Sequence, residues 1–184
     1  RKQLATEGDK LINYSISLAQ TFRERINKIP GFYSFGEEVL DGKGRFAFDP
    51  TKVTVTAKDL GLHGYELDKM LIEKYNIQVE LSDLYNVLFI TTYSNRKKDI
   101  NKVLEALEDI SNTYKDHNKL TKNFKEIPNI PEMVQIPRES FFSDKTKKPI
   151  EECVGEISGE SIFAYPPGIP VLVSGERITE DMLQ

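Results

Sequence analysis

Residues 77–92 read IQVELSDLYNVLFITT and contain two short strand-like runs. The runs Ile77–Leu81 and Val87–Thr92 are apolar and rich in β-favouring residues, and the turn-length connection Ser82–Asn86 separates them. Such spacing is typical of a β-hairpin, because a short connection lets two consecutive strands pair directly. The stretch therefore predicts two antiparallel strands.

Helical periodicity occurs on both sides of this hairpin. Apolar residues recur at intervals of three and four in Leu4–Ile29, Tyr65–Tyr75 and Arg96–Tyr114, which predicts three helices. The pair Pro30-Gly31 is suited to end the first helix and Asn76 to end the second.

A further strand is predicted before the second helix. Lys52–Thr56 alternates as a strand with one buried face does, and it follows a turn at Asp41–Gly44. Phe32–Phe35 is expected to be a short strand or an extended entry into this unit. The order β-α-β-β-α over residues 31–115 predicts an α+β domain, with an antiparallel-rich sheet and helices on one face.

The composition changes after this domain. Residues 116–137 are polar and then rich in proline, which predicts an extended connector. Residues 138–184 are expected to form a small mixed segment, with one short helix over Pro149–Gly155. The run Tyr165–Pro170 (YPPGIP) contains three prolines and a glycine, and these residues favour a rigid, shaped path.

Charge and hydropathy restrict the classes of partner. The chain has 184 residues and a net charge of −4, and its basic residues form no long stripe. Neither nucleic acid nor an anionic membrane is therefore an expected partner. No apolar run approaches the roughly 20 residues of a membrane helix, and the chain opens with Arg-Lys-Gln instead of the apolar core of a signal peptide, so we expect a cytoplasmic protein.

Cysteine and histidine give no sign of a metal centre. The single cysteine, Cys153, excludes an internal disulfide and is expected to serve in packing. The two histidines, His63 and His117, are too far apart in sequence to indicate a ligand pair. We therefore expect no metal site.

Motifs along most of the chain resemble those of one enzyme family. They are Asp49-Pro50-Thr51-Lys52-Val53-Thr54, Ile77-Gln78-Val79-Glu80 followed by Asp83–Leu88, Val154–Ser158, Tyr165–Pro170 and Ser174–Thr179. The opening Arg1–Gly8 is similar to the start of a helix that leaves the large domain of that family. The chain thus resembles the C-terminal region of the bacterial ornithine/lysine/arginine decarboxylases, in detail the short arginine-decarboxylase-like members of Gram-positive bacteria.

The resemblance implies a pyridoxal-phosphate (PLP) enzyme of the aspartate-aminotransferase fold type that forms polyamine precursors. In this family the PLP-binding groups sit in the large domain, and residues 1–30 would link that domain to the domain of residues 31–115. A PLP enzyme needs a lysine for the internal aldimine and a carboxylate at the pyridine nitrogen. No residue of this sequence is assigned such a catalytic role, and the chain alone is expected to be inactive.

Two acidic residues are the candidate substrate contacts. The resemblance implies that Glu80 approaches the distal cation of the bound amino acid, and a charged acceptor suits an ammonium or guanidinium that leaves water. The alternative is a solvent-facing residue on an edge strand. Asp83 is a weaker candidate for a second acceptor, and it is equally suited to cap its own turn.

Four residues near the end of the chain are candidates for a different role. By resemblance, Tyr165, Pro166, Pro167 and Gly168 shape the site entrance or contact another subunit of a homodimer or higher assembly. The alternative is a scaffold role. Glu176 is expected to pair with a cation such as Arg177 or to cap the following turn, with no catalytic role.

The sequence departs from the family pattern at two positions. Glu156 stands where many relatives carry a basic or amide residue, and Ser174 stands where proline is usual. Any ion pair that the family makes through that basic residue is therefore in doubt here.

Two classes of function remain open at this stage. The favoured one is a decarboxylase of basic amino acids, with arginine ahead of lysine and ornithine. The alternative is a stand-alone ligand-binding or regulatory α+β module without catalysis, because this fold alone says little about function. An enzyme relative that has lost activity is a third reading.

Overall fold

The computed structural model describes residues 1–116, 129–163, 165 and 168–183. The chain divides into two compact units, Arg1–Thr121 and Lys122–Gln184. Among the described residues, no helix combines the length and the apolar character needed to cross a membrane.

The described part of the first unit contains three α-helices and three strands, besides two short 3₁₀ turns. Their bounds are α1 Lys2–Ile26, β1 Lys52–Thr56, α2 Gly64–Tyr75, β2 Leu81–Ser82, β3 Asn86–Ile90 and α3 Lys97–Tyr114. The strands lie in the order β1-β3-β2, and both pairs are antiparallel. The predicted α+β class with its β-α-β-β-α order is confirmed.

One face of the sheet carries its buried side chains. Val53 pairs with Phe89 and Val55 pairs with Val87 in the β1–β3 ladder, and all four are buried. The residues between them are half-buried, as expected of strands that alternate between a core face and a second face.

The helices contribute to the core on this face. The ring of Phe22 on α1 meets the ring of Phe89 edge to face, with the two centroids 5.5 Å apart. Edge-to-face contact is favourable for aromatic rings and adds to the apolar area that they bury. Other buried core residues from the helices are Leu18, Ala19, Ile26, Leu67, Leu71, Ile100, Leu104, Leu107 and Ile110.

The segment between α2 and β3 differs from the prediction. Asn76 ends α2 in a left-handed conformation (φ 52°), as its residue type favours. The Ile77 N–H then donates to the Leu71 carbonyl and completes the helix end. This bond takes Ile77 out of the ladder, so the predicted strand Ile77–Leu81 is too long and only Leu81–Ser82 pairs as β2.

The connection from α1 to β1 is held by one side chain and one bridge. The side chain of Asn27 bonds both backbone groups of Ser34, at 2.8 and 2.9 Å. This closes the turn after α1, which ends three residues before the predicted Ile29. Within the predicted strand Phe32–Phe35, only Tyr33 forms a bridge, to Thr56.

The second unit contains one helix, one hairpin and short 3₁₀ turns among its described residues. The bounds are α4 Pro137–Phe142, β4 Ile162–Phe163 and β5 Pro170–Leu172, with 3₁₀ turns at Ile150–Glu152 and Glu180–Leu183. Pro137 occupies the first position of α4, where no N–H donor is needed. Most of the connector predicted over residues 116–137 lies outside the described residues. The helix expected over Pro149–Gly155 is only the turn Ile150–Glu152.

Gly175 joins two segments of the second unit. Its carbonyl accepts from the amides of Val134 and Gln135, and its N–H donates to the Ser158 carbonyl over 2.7 Å. Gly175 has φ +98°, and a Cβ there would lie 2.1 Å from the Gln135 carbonyl oxygen. The position therefore requires glycine for both its conformation and its close backbone contact.

Truncation of the aromatic core should strongly destabilise the first unit. We expect Phe22→Ala to lower the free energy of unfolding by about 3–5 kcal/mol, because the ring is buried and leaves a cavity. Phe46→Ala is the matched control, since Phe46 is 80% exposed and its loss should change stability by less than about 0.5 kcal/mol. Urea denaturation measures both; equal effects would contradict the core described for this unit.

A methyl group at Gly175 should disrupt the second unit. We expect Gly175→Ala to cost about 3 kcal/mol or more, from the left-handed backbone and the clash with Gln135 together. Gly155→Ala provides the control: it shares a positive φ (+88°) but meets no atom within 4 Å, so it should cost only about 1–2 kcal/mol. Amide hydrogen exchange over residues 155–178 reports the difference, and equal loss of protection would argue against the close contact.

Candidate functional site

A surface depression of about 440 Å³ lies in the first unit beside the segment that precedes β2. Its apolar lining comes from Phe22, Ile77, Val79, Phe89, Ile90, Ile100 and Val103. Its polar lining comes from Gln78, Glu80, Thr91, Asn95 and Asp99. Among the described residues, no lysine or arginine lines it, so its charge is negative.

Glu80 lies at the rim of this depression with an exposed side chain. Its backbone N–H donates to the Leu88 carbonyl over 2.9 Å, which fixes the residue against the central strand. In the described part of the chain, its carboxylate makes no hydrogen bond or ion pair. The carboxylate is therefore available to an added cation.

Asp83 caps its own turn. Its Oδ1 accepts from the amides of Tyr85 (2.7 Å) and Asn86 (2.8 Å), and both carboxylate oxygens accept from the Asn86 side-chain amide. These bonds hold the β2–β3 turn and occupy the carboxylate, as Asp commonly does in such turns. Asp83 is not among the residues that line the depression.

The N-terminus of α2 supports the same turn. The Gly64 N–H and the His63 Nδ1 both hydrogen-bond the Leu84 carbonyl, each at 3.1 Å. A Cβ at Gly64 would lie 2.3 Å from the carbonyl oxygens of Asp83 and Asn86, so only glycine allows this approach. His63 thus has a structural contact.

The described residues show no group of three His, Cys, Asp or Glu side chains suited to a metal ion. The other histidine considered from sequence, His117, falls outside the described residues. Cys153 is half-buried, and its Sγ lies 3.2 Å from the Pro149 carbonyl oxygen, to which the thiol donates.

Three of the polar residues in the depression are engaged in structural bonds. The Thr91 hydroxyl donates to the Thr51 carbonyl, and Asn95 Oδ1 accepts from the backbone and hydroxyl of Thr92. Asp99 Oδ2 accepts from the Arg96 amide at the start of α3. These three side chains lie at the rim, and some of their hydrogen-bonding atoms are already engaged within the fold.

Gln78 is a lining residue that the sequence argument missed. Along Ile77–Glu80, burial alternates: Ile77 and Val79 are buried, while Gln78 and Glu80 are exposed. The apolar-polar alternation of these four letters was the available signal, since alternate residues of a strand-like segment share one side. The candidate contacts predicted from sequence, Glu80 and Asp83, are both acidic, whereas Gln78 carries no charge.

Of the four candidates near the end of the chain, Tyr165 and Gly168 are described, and both lie between β4 and β5. Tyr165 is 83% exposed, and Gly168 has φ +83°, with a Cβ position 3.3 Å from the Tyr165 ring. Pro166 and Pro167 fall outside the described residues. The exposure of Tyr165 means that the described fold does not use its ring in a core.

The other acidic candidates of the second unit have partners. Glu156 forms an ion pair with Lys148 at 2.6 Å, and the hydrogen bond from Lys148 keeps the pKa of this carboxyl below its usual value. Glu176 is buried and accepts from the Val173 amide at 2.6 Å, so it caps the preceding turn and not the following one. Arg177 pairs instead with Glu132, at 2.9 Å.

Ser174 is part of a buried hydroxyl chain. Its Oγ donates to the Ser140 Oγ over 2.9 Å, and the Ser140 Oγ donates to the Ser158 carbonyl over 2.8 Å. All three serines are buried. The departure at Ser174 therefore contributes a hydrogen bond that proline cannot make.

The described residues do not fit a PLP site. Imine formation needs an amine whose neutral form is favoured, commonly through burial. Every described lysine has an exposed or half-exposed side chain, and the buried charged residues are Arg23 and Glu176.

Comparison with known proteins identifies relatives over the whole chain. Residues 117–184 match the family described as "Orn/Lys/Arg decarboxylase, C-terminal domain". An arginine decarboxylase from Bacillus anthracis is 43% identical over an alignment of 187 positions. The alignment covers all of this chain and 38% of the relative. One from Bacillus subtilis is 40% identical over 183 residues, covering 98% of this chain and 37% of the relative.

A solved structure shows the same fold. The crystal structure of a lysine decarboxylase from Francisella novicida matches with a TM-score of 0.72 at 23% identity, over 96% of this chain and 36% of that one. The chain therefore spans less than two fifths of the length of the proteins that it matches. These matches confirm the resemblance in the sequence motifs: the chain belongs to the Orn/Lys/Arg decarboxylase family and includes its C-terminal domain.

Proposed function

We propose that the whole protein is a PLP-dependent decarboxylase of basic amino acids, with arginine favoured over lysine and ornithine. In this proposal the present chain supplies the distal wall of the substrate site. The supporting observation is that, over the residues that the structure describes, the Glu80 carboxylate has no partner and the partly apolar depression that it lines has no basic residue. The PLP belongs to the part of the relatives' length that this chain does not span.

The chemistry of the depression suits such a substrate. A basic amino acid carries several methylene groups and a terminal cation. The methylenes can cover apolar side chains such as Val79 and Phe89, and the cation can bond the Glu80 carboxylate. Charge-assisted bonds of this kind are about twice as strong as neutral ones.

The role of Glu80 is recognition and positioning. A cation held at the far end of the substrate fixes where the α-carboxylate lies, and such positioning lowers the barrier of the chemical step. The overall reaction releases CO₂ and leaves agmatine from arginine, or a diamine from lysine or ornithine. The preference for arginine is supported by the names of the Bacillus relatives.

The remaining candidates enter the proposal with weaker support. Asp83 keeps the turn beside Glu80 in place and is the weaker candidate for a second substrate contact. The exposed Tyr165 loop, with Pro166, Pro167 and Gly168, is proposed to shape the site entrance or to contact another subunit of a homodimer. We also propose a cytoplasmic location for the whole protein.

Removal of the Glu80 charge tests the proposal. In the intact gene product supplied with PLP, Glu80→Gln should lower kcat/KM for the preferred substrate about 30-fold or more, because the distal cation loses its charged partner. CO₂ release from arginine, lysine and ornithine measures the effect and identifies the substrate.

Glu105→Gln is the matched control for this experiment. Glu105 is exposed on α3, outside the depression, so its neutralisation should change kcat/KM by less than about 2-fold. Equal activity of Glu80→Gln and the wild type would contradict the distal-wall role. Absence of turnover of all three amino acids by the intact protein would favour the stand-alone binding module.

The Tyr165 role is tested separately. Because the ring is 83% exposed, Tyr165→Ala should change the free energy of unfolding by less than about 0.5 kcal/mol. In the intact protein it should lower decarboxylation or the dimeric fraction, measured by CO₂ release and by light scattering. A loss of stability would instead support the scaffold role, and unchanged activity and mass would exclude both proposed contacts.

A further inference from the structure

Within the described residues, two side chains that line the depression have no hydrogen-bond or ion-pair partner. Of its five polar residues, Thr91, Asn95 and Asp99 have oxygen atoms engaged in hydrogen bonds within the fold. The side chains of Gln78 and Glu80 have no hydrogen bond within the described part of the chain. A ligand in the depression would therefore meet two free acceptor groups.

These two groups lie on the same side of their segment. Gln78 and Glu80 are exposed and alternate with the buried Ile77 and Val79, and all four residues line the depression. In a strand-like segment, alternate Cα atoms are about 6.5 Å apart. The two flexible side chains can thus approach one planar group from two positions.

We propose that Gln78 is a specificity-determining residue, whose amide oxygen accepts a second hydrogen bond from the substrate guanidinium and favours arginine over lysine. This inference rests on the proposed function and adds to it a residue and a reason for substrate choice. In this inference Glu80 supplies the negative charge that any basic substrate needs, and Gln78 supplies the preference for arginine over lysine.

The two cations differ in how many separate acceptors they need. A guanidinium spreads five N–H donors over three nitrogens in one plane, whereas an ammonium places three donors on one nitrogen. One carboxylate can bond an ammonium while water takes the remaining donors. A guanidinium that leaves water needs acceptors at separate positions, because each unpaired buried donor is costly.

The test measures how two product amines, which have no α-carboxylate to lose, bind to the intact, PLP-loaded protein. Agmatine carries the guanidinium and 1,5-diaminopentane the ammonium, and each competes with substrate for the distal wall. We expect Gln78→Met, which keeps the side-chain length but has no oxygen acceptor, to raise the inhibition constant of agmatine about 10-fold. The inhibition constant of the diamine should change less than 2-fold.

Three further variants complete the design. Gln78→Glu keeps an acceptor and should retain agmatine binding, which separates the lost bond from a general disturbance of the segment. Gln20→Met, at an exposed position on α1 outside the depression, should change neither constant. Glu80→Gln should weaken both probes.

The outcomes separate this inference from the proposed function. If Glu80→Gln weakens both probes but Gln78→Met affects them equally or not at all, the inference about Gln78 is overturned and the distal wall stands. If Glu80→Gln affects neither probe, the distal wall itself is wrong, and the inference fails with it. Loss of agmatine binding in Gln78→Glu as well as in Gln78→Met would also overturn the specificity role.

Discussion

The central strand β3 is the constraint on which both the core and the candidate site of the first unit depend. Its buried residues Val87 and Phe89 pair with Val55 and Val53 on one side. A shift of one residue would turn these side chains to the opposite face, so the core fixes the register strongly. On its other edge, the Leu88 carbonyl accepts from the Glu80 N–H, and the same register therefore places the candidate carboxylate.

The elements that could be predicted are those whose signal is local. Helical periodicity identified α1, α2 and α3, and alternation identified β1 with its bounds at Lys52–Thr56. The segment before β2 shows how a single backbone donor can override a local signal. The Ile77 N–H closes α2 and so shortens the following strand, while the missing N–H of Pro137 is harmless at the first position of α4.

The candidate site was predictable to a different degree for each residue. The residue type and position of Glu80 alone favour a solvent-facing place on an edge strand, and only the family resemblance implies a contact with the substrate cation. Asp83 accepts hydrogen bonds from its own turn, as this residue type commonly does. Turn capping was one of the two roles predicted for it, beside contact with the substrate. The apolar-polar alternation in Ile77–Glu80 places Gln78 with Glu80, but an uncharged amide carries no sequence signal for binding a cation.

The exposure of Glu80 limits what this chain can do by itself. A cation that pairs with a carboxylate in water gains only about 0–1 kcal/mol, because both groups stay hydrated and the pair is screened. The same pair becomes strong and selective only when water is excluded around it, and then every unpaired donor of the cation becomes costly. Under the proposed function, binding of a cation by Glu80 therefore requires that the rest of the protein or the substrate exclude water around the pair. Under the inference about Gln78, the number of free acceptors beside Glu80 then determines which cation is favoured.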